Sequence, residues 1–261
     1  MSQSNTVVVN PPYPNINGVK NTVALKIVQM LNNGIRYFGS PGASLTHHAN
    51  NPDYDSAFKH KVVRVGLEGE RSTSLLLQQW IQDKPNAVLI DSVHIRGMGK
   101  EEIDPESGMI EGGDTDHVLI IGNHVFLIDT KRWKERRKYS INDKGQILRS
   151  DRIFPGGRVR AAQARALWKK YLHSSAKVSS IICINADKTF VKMDSNWKKQ
   201  SYRLYTVDKL PDYLNYRYQQ LDEINKTHIN STLVSQIAVC CIKPFDPYSR
   251  VFDMNSLNKF R

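Results

Sequence analysis

Two aspartates and a lysine lie at suggestive spacing in the segment from Asp116 to Lys131, DHVLIIGNHVFLIDTK. Gly122-Asn123 is a favoured two-residue hairpin loop, because both residue types tolerate the positive φ of a primed turn. With that loop, Ile120 lies opposite Val125, Val118 opposite Leu127, and Asp116 opposite Asp129. Side chains alternate between the faces of a sheet, so these pairs share one face and Lys131 joins them. A slip of one residue would send Asp116 to the other side. Directly opposed residues have Cβ atoms about 4.5–5.5 Å apart, where like charges repel. Two such carboxylates call for a cation, a shared proton or full solvation. Lys131 offers one positive charge. A divalent metal fits better, since Mg2+ takes oxygen ligands and often binds one or two carboxylates together with substrate phosphate. The plainer alternative is the exposed end of an ordinary hairpin. The D-x-K triplet by itself does not decide between them, because this composition gives about two [DE]-x-K matches by chance.

Those residues need a rigid frame, and the chain is long enough to build one. Its 261 residues, 40% hydrophobic and of mixed charge, suit one large domain or a core with an appendage and exclude wholesale disorder. No apolar run approaches the roughly 18–20 residues of a membrane span. The N-terminal stretch MSQSNTVVVNPPYPN has neither the basic nor the long apolar region of a secretory signal. Cys183, Cys240 and Cys241 form neither a disulfide framework nor a zinc spacing, and read as buried thiols in a reducing compartment. A cytoplasmic protein without a membrane partner is expected.

Periodicity places the elements. Residues 1–60 read as a partly extended appendage, with a helix from Val23 to Leu31 stopped by Asn32-Asn33-Gly34 and a polar loop from Gly39 to Tyr54. Helices are expected over Glu68–Gln82, Arg158–His173 and most of Lys209–Asn225. Strands are expected at Ala87–Ile95, Asp116–Ile121, His124–Lys131, Val178–Asn185, Ser201–Val207 and Val234–Ile242, with a small hairpin over Tyr139–Leu148. Between Lys100 and Asp116 lies a loop with seven acids and one base. His117 faces away from Asp116 and reads as a packed histidine, whereas His124, at the turn, is expected to be exposed. The order predicts an α/β fold, a mixed sheet flanked by helices.

Four stretches in order, GLEGE ending at Glu70, TDHVLI around Asp116, VFLIDTK ending at Lys131 and RAAQARAL around Gln163, resemble the nuclease-related domain (NERD) family of the PD-(D/E)xK nuclease superfamily. The apolar strand VSSIICIN follows where that family has one, so the resemblance covers roughly residues 64–185. It implies a restriction-endonuclease-like core over 61–215, between the N-terminal appendage and a C-terminal helix and strand extension over 216–261. It also implies a nuclease using Mg2+ or Mn2+. In that reading Asp116 and Asp129 hold the metal, with the backbone carbonyl near Thr130 as a third ligand. Lys131 orients or activates the attacking water, and Glu70, chosen over Glu68 by the G-x-x-G-E spacing, supports the metal. Gln163 faces the site and Arg160 reaches the phosphate. The family usually has Glu where this chain has Asp129; the wider superfamily accepts either acid.

The net charge of +12 is concentrated. Residues 131–170 hold fourteen Lys and Arg against three acids, which leaves the rest of the chain almost neutral. Within that segment Arg132, Lys134, Arg136, Arg137, Arg158 and Arg160 are the candidate phosphate track of a nucleic-acid partner. DNA is favoured over RNA, and self-association is left open. The competing readings are a nucleic-acid-binding module without catalysis and an assembly protein on a nuclease-like fold.

Overall fold

A computed structural model describes residues 18–43, 57–94, 114–133, 136–150, 152–153, 165, 168–169, 172, 174–186, 188–192 and 202–238. Helix α1 (Gly18–Asn32) and strand β1 (Tyr37–Gly39) come first, then α2 (Ala57–Ile81) and β2 (Ala87–His94). The hairpin follows as β3 (Asp114–Ile121) and β4 (His124–Lys131). Next come β5 (Lys138–Ile141), β6 (Ile147–Arg149), β7 (Arg152–Ile153), β8 (Lys177–Ile184), β9 (Phe190–Val191) and β10 (Tyr202–Thr206). The described chain closes with α3 (Leu210–Gln219), α4 (Glu223–Thr227) and α5 (Ser231–Ala238).

The main sheet runs β1-β2-β3-β4-β8-β10 and is mixed: β2, β3 and β4 alternate in direction, while β8 lies parallel to both β4 and β10. Its inner strands are almost continuously apolar because both faces are covered. On one face Val88, Ile90, Val118, Ile120, Val125 and Leu127 pack under Ile27 and Leu31 of α1, under Trp168, and under Leu233, Val234 and Ile237 of α5. On the other, Leu89, Leu119, Phe126 and Ile128 pack under Leu77, Trp80 and Ile81 of α2 and Leu210 and Leu214 of α3. A second sheet, β7-β6-β5-β9, lays Tyr139, Ile141 and Ile147 over Ile182, Ile184, Tyr202 and Leu204. Among the described residues no helix is long and apolar enough to cross a membrane.

The α/β architecture follows the sequence expectation, as does the hairpin register as far as His117 opposite Ile128, although the expected Asp116–Asp129 pair is not formed; the differences have local causes. Residues 18–43, read as part of an appendage, supply a core helix and an edge strand: Ile27 and Phe38 are buried, and Tyr37 pairs in parallel with Leu89. Helix α2 starts at Ala57 rather than Glu68 and runs through both Gly66 and Gly69. The strand expected from Val234 is instead helix α5. Asn230 caps it, its Oδ1 accepting from the Leu233 N–H at 3.0 Å, and the buried Leu233, Val234, Ile237 and Ala238 recur at helical spacing. That cap and periodicity outweigh the β-branched composition. His124 is buried rather than exposed, and stacks on Phe126 with ring centroids 6.4 Å apart. Most of the helix expected over Arg158–His173 lies outside the described residues.

The hairpin turn has φ +54° at Gly122, where a methyl group would strike the Asn225 side chain. Asn225 Oδ1 accepts from the Asn123 N–H at 2.7 Å, so the segment before α5 clasps the turn.

Candidate active site

β3 and β4 pair from Ile121 opposite His124 to His117 opposite Ile128, as the Gly-Asn loop predicts. Asp116, the next residue outward, is left out of the ladder with β4 and also of the ladder with β2, which skips from Asp91–His117 to Val93–Thr115. The cause is Ser92, whose backbone takes φ +51°. That kink moves Val93 into the same layer as Val88 and Ile90, and Thr115 follows it, accepting from Trp168 Nε1 at 3.2 Å. Relieved of ladder pairing, Asp116 turns its carboxylate to β4, where Oδ2 accepts from the Thr130 N–H at 2.6 Å.

The Asn123 and Lys131 carbonyls accept from the Lys177 and Asn185 N–H groups of the β8 side. Odd-numbered residues of β4 therefore pair with β8. The even-numbered ones, Thr130 included, turn both backbone groups toward β3. The Thr130 carbonyl thus lies on the Asp116 side. One residue before it, Asp129 Oδ1 accepts from Lys131 Nζ at 2.5 Å, with both side chains about a quarter exposed.

Helix α2 brings the third acid. Asn185 Nδ2 donates to the Gly69 carbonyl at 3.0 Å, and Gly69 stands against Thr130 and Arg132 at the end of β4. The next residue, Glu70, is 4% exposed, and its Oε2 has no hydrogen-bond partner. The Gly42 N–H serves its carboxylate. Burial pushes the Glu70 carboxyl up to about 7; Lys131 opposes this, while Asp129 and Asp91 add to it. Asp116 is likewise raised well above the ordinary carboxylate range, by burial first and then by the charges of Glu70 and Asp129. Glu68, the rejected alternative, points outward and pairs with Arg132 at 3.1 Å.

Glu70, Asp116, Asp129 and Lys131 are therefore brought together: three mutually repelling acids and one lysine. No three His, Cys, Asp or Glu side chains among the described residues are gathered tightly enough to hold a metal ion as they stand. Arg136 and Arg137 are exposed on the segment leading away from β4. Gln163, Lys134, Arg158 and Arg160 lie outside the described residues.

Beneath the acids runs a buried network that sequence reasoning missed. Asp91 accepts from Ser74 Oγ at 2.5 Å, from Tyr37 OH at 2.9 Å and from His117 Nδ1 at 2.7 Å. His117 Nε2 reaches Thr130 Oγ1 at 3.1 Å. Burial alone would lower the His117 imidazole, but the charge and hydrogen bond of Asp91 outweigh it and hold it above its ordinary value. In the charged form both ring nitrogens donate; in either form Thr130 is braced from below while its N–H holds Asp116. The expectation of a packed His117 holds; Asp91 was hidden in an apolar run as one strand residue among many.

A pH test follows from Glu70. Its folded value lies above its ordinary 4.5, so between those values the folded chain binds a proton that the unfolded chain has released. Stability therefore falls as pH rises from about 4.5 to 7, by up to roughly 3 kcal/mol from this group. In EDTA, Glu70→Gln will gain stability over the parent at pH 8 and much less at pH 5, as read by urea unfolding. An equal effect at both pH values would contradict the buried, unpartnered carboxylate.

No curated protein and no solved structure matches the chain. A family model does match, over the span that carries the C-terminal part of α2, the hairpin and β8: residues 65–185 match the nuclease-related domain.

Proposed function

We propose that the chain is a metal-dependent nuclease whose centre is the end of the β3–β4 hairpin. The observation that carries this reading is the convergence of Glu70, Asp116 and Asp129 on a single lysine, with a buried Glu70 oxygen left unpartnered. Carboxylate oxygens are the hard ligands that Mg2+ and Mn2+ take, and the three acids would draw closer around the ion than they stand here. Asp116 and Asp129 would hold the ion with the Thr130 carbonyl, and Glu70 would support it directly or through water. When bound, the ion supplies Lewis acidity and a more acidic water.

The chain's own residues do the rest. The Thr130 N–H fixes Asp116, and the Asp91–His117 pair fixes Thr130. Lys131 stands beside Asp129, where it can orient the attacking water and offset charge developing on the phosphate. Arg132, Arg136 and Arg137 continue the positive charge from the end of β4 toward the substrate. Lys134, Arg158 and Arg160 are proposed for the same track, and Gln163 is proposed to face the site. The substrate is nucleic acid, DNA before RNA, cut with little sequence preference.

The Lys131–Asp129 ion pair favours one second reading, a binding module in which the lysine permanently takes the cation's place. Incubation with circular single-stranded DNA, plasmid and RNA, with and without Mg2+ or Mn2+, separates the two. Metal-dependent products support the nuclease. Salt-sensitive binding without products supports the module.

A further inference from the structure

We propose that the outer face of the second sheet is a stacking platform for single-stranded nucleic acid, centred on Phe190. The proposal deepens the nuclease reading by naming its substrate class, and it rests on a different surface. Tyr139, Ile141 and Ile147 turn into the core, so alternation sends Lys138 and Ser140 of β5 and Leu148 of β6 outward. Lys138 is in register with Phe190 on the edge strand β9, and Leu148 with Ile153 on β7. Phe190 is 69% exposed and Ile153 60%, one large apolar group on each edge strand of this sheet. Around β9, Lys188, Phe190 and Lys192 are exposed while Thr189 is buried. Lys138 across the sheet and Lys192, whose N–H continues the pairing to the Tyr139 carbonyl about 7 Å farther along the chain, thus flank one phenyl ring, and Lys188 is exposed in the turn before it.

The charge of this face identifies the occupant. Lys138, Arg152, Lys188 and Lys192 have no acidic partner among the described residues. A second copy of the chain would bring the same positive face, whereas a polyanion matches it. An aromatic ring among lysines is the arrangement that takes an unpaired base on the ring and its phosphates on the ammonium groups. In a duplex the base faces are already stacked on one another. The platform also follows the candidate site closely in the chain, β5 starting at Lys138 and β4 ending at Lys131.

The test is equilibrium binding in EDTA, where nothing is cut, of fluorescein-labelled oligothymidylate and of a duplex of the same length. Phe190→Ala will weaken the single strand about five- to tenfold or more and the duplex by less than twofold. Phe190→Trp will restore single-strand affinity, with tryptophan emission quenched on binding. Lys192→Ala will reduce the salt dependence of log K by roughly 0.7. Unchanged single-strand affinity in Phe190→Ala overturns the platform, as do equal losses on both probes or a change in sedimentation that shows the face joins two copies. Binding through Phe190 without metal-dependent cutting would remove the nuclease reading and leave the platform. Cutting with an indifferent Phe190 would do the reverse.

Discussion

Asp129→Asn will reduce metal-dependent cutting by on the order of a thousandfold while leaving the fold at least as stable as the parent in EDTA. The two halves of that expectation come from different features. The loss of cutting follows from removing a charged ligand where phosphoryl charge must be neutralised; single electrostatic contacts at such centres are worth about 10²–10³ in rate. The retained stability follows from the acids around it. Asp129 is one of the charges that raise Asp116 and Glu70, and its ion pair with Lys131 is partly exposed and so worth only about 0–1 kcal/mol. Removing the charge relieves more repulsion than it forfeits attraction. Product formation on plasmid and single-stranded circles gives the first quantity, and urea unfolding gives the second. Undiminished cutting would sink the assignment; lost cutting together with a collapsed fold would make Asp129 a structural residue.

Asp91→Ala is expected to show the opposite signature. Asp91 is fully buried and serves three donors, Ser74 Oγ, Tyr37 OH and His117 Nδ1. Its removal takes away the acceptor that those donors share and the nearest counter-charge of a histidine favoured in its charged form. Breaking one partner out of a buried pair of this kind costs about 3–5 kcal/mol. For a chain of this size that is a fall in thermal midpoint on the order of 10 °C. Asp91→Asn, which keeps the shape, will fold with a smaller loss. Because His117 braces Thr130, it will also bind metal about 10–100-fold more weakly, as a mutated outer support does. Mn2+ titration of both variants reads that separately from thermal melting. A melting point unchanged in Asp91→Ala would show that the network is not what holds the strands in place.

How much of this could be read from the sequence depended on how local the cause was. The β3–β4 hairpin was legible because the Gly-Asn loop and strict alternation set its register within sixteen residues, and Asp116, Asp129 and Lys131 came with it. Glu70 needed the family resemblance, since nothing in α2 alone says which acid turns inward. The packing of Gly69 against Thr130 and Arg132 belongs to the fold. The Asp91 network was not legible, because its members lie on β1, α2, β2, β3 and β4 and meet only in three dimensions. The Ser92 kink that releases Asp116 has no sequence signal, as serine rarely adopts positive φ. Helix α5 was misread because Val234, Ile237 and their neighbours satisfy a strand as well as a helix until the Asn230 cap is weighed. Phe190 passed unnoticed because its setting is made by the partner strand β5.

The clasp of Asn225 on the hairpin turn has a consequence for the order in which the chain is made. All the candidate residues of the hairpin have been synthesised by residue 131, but the turn is not held until Asn225 appears, and Leu233 to Ala238 complete the layer over Val118, Ile120, Val125 and Leu127. At ribosomal speeds that interval of about 100 residues lasts roughly 5–20 s. Throughout it the hairpin offers a partly bare apolar face, a substrate for chaperones and a risk for aggregation. Completion of the layer over the hairpin therefore waits on the last described helix, and a premature stop near residue 220 would remove none of the candidate site residues yet leave the turn unclasped and that layer open.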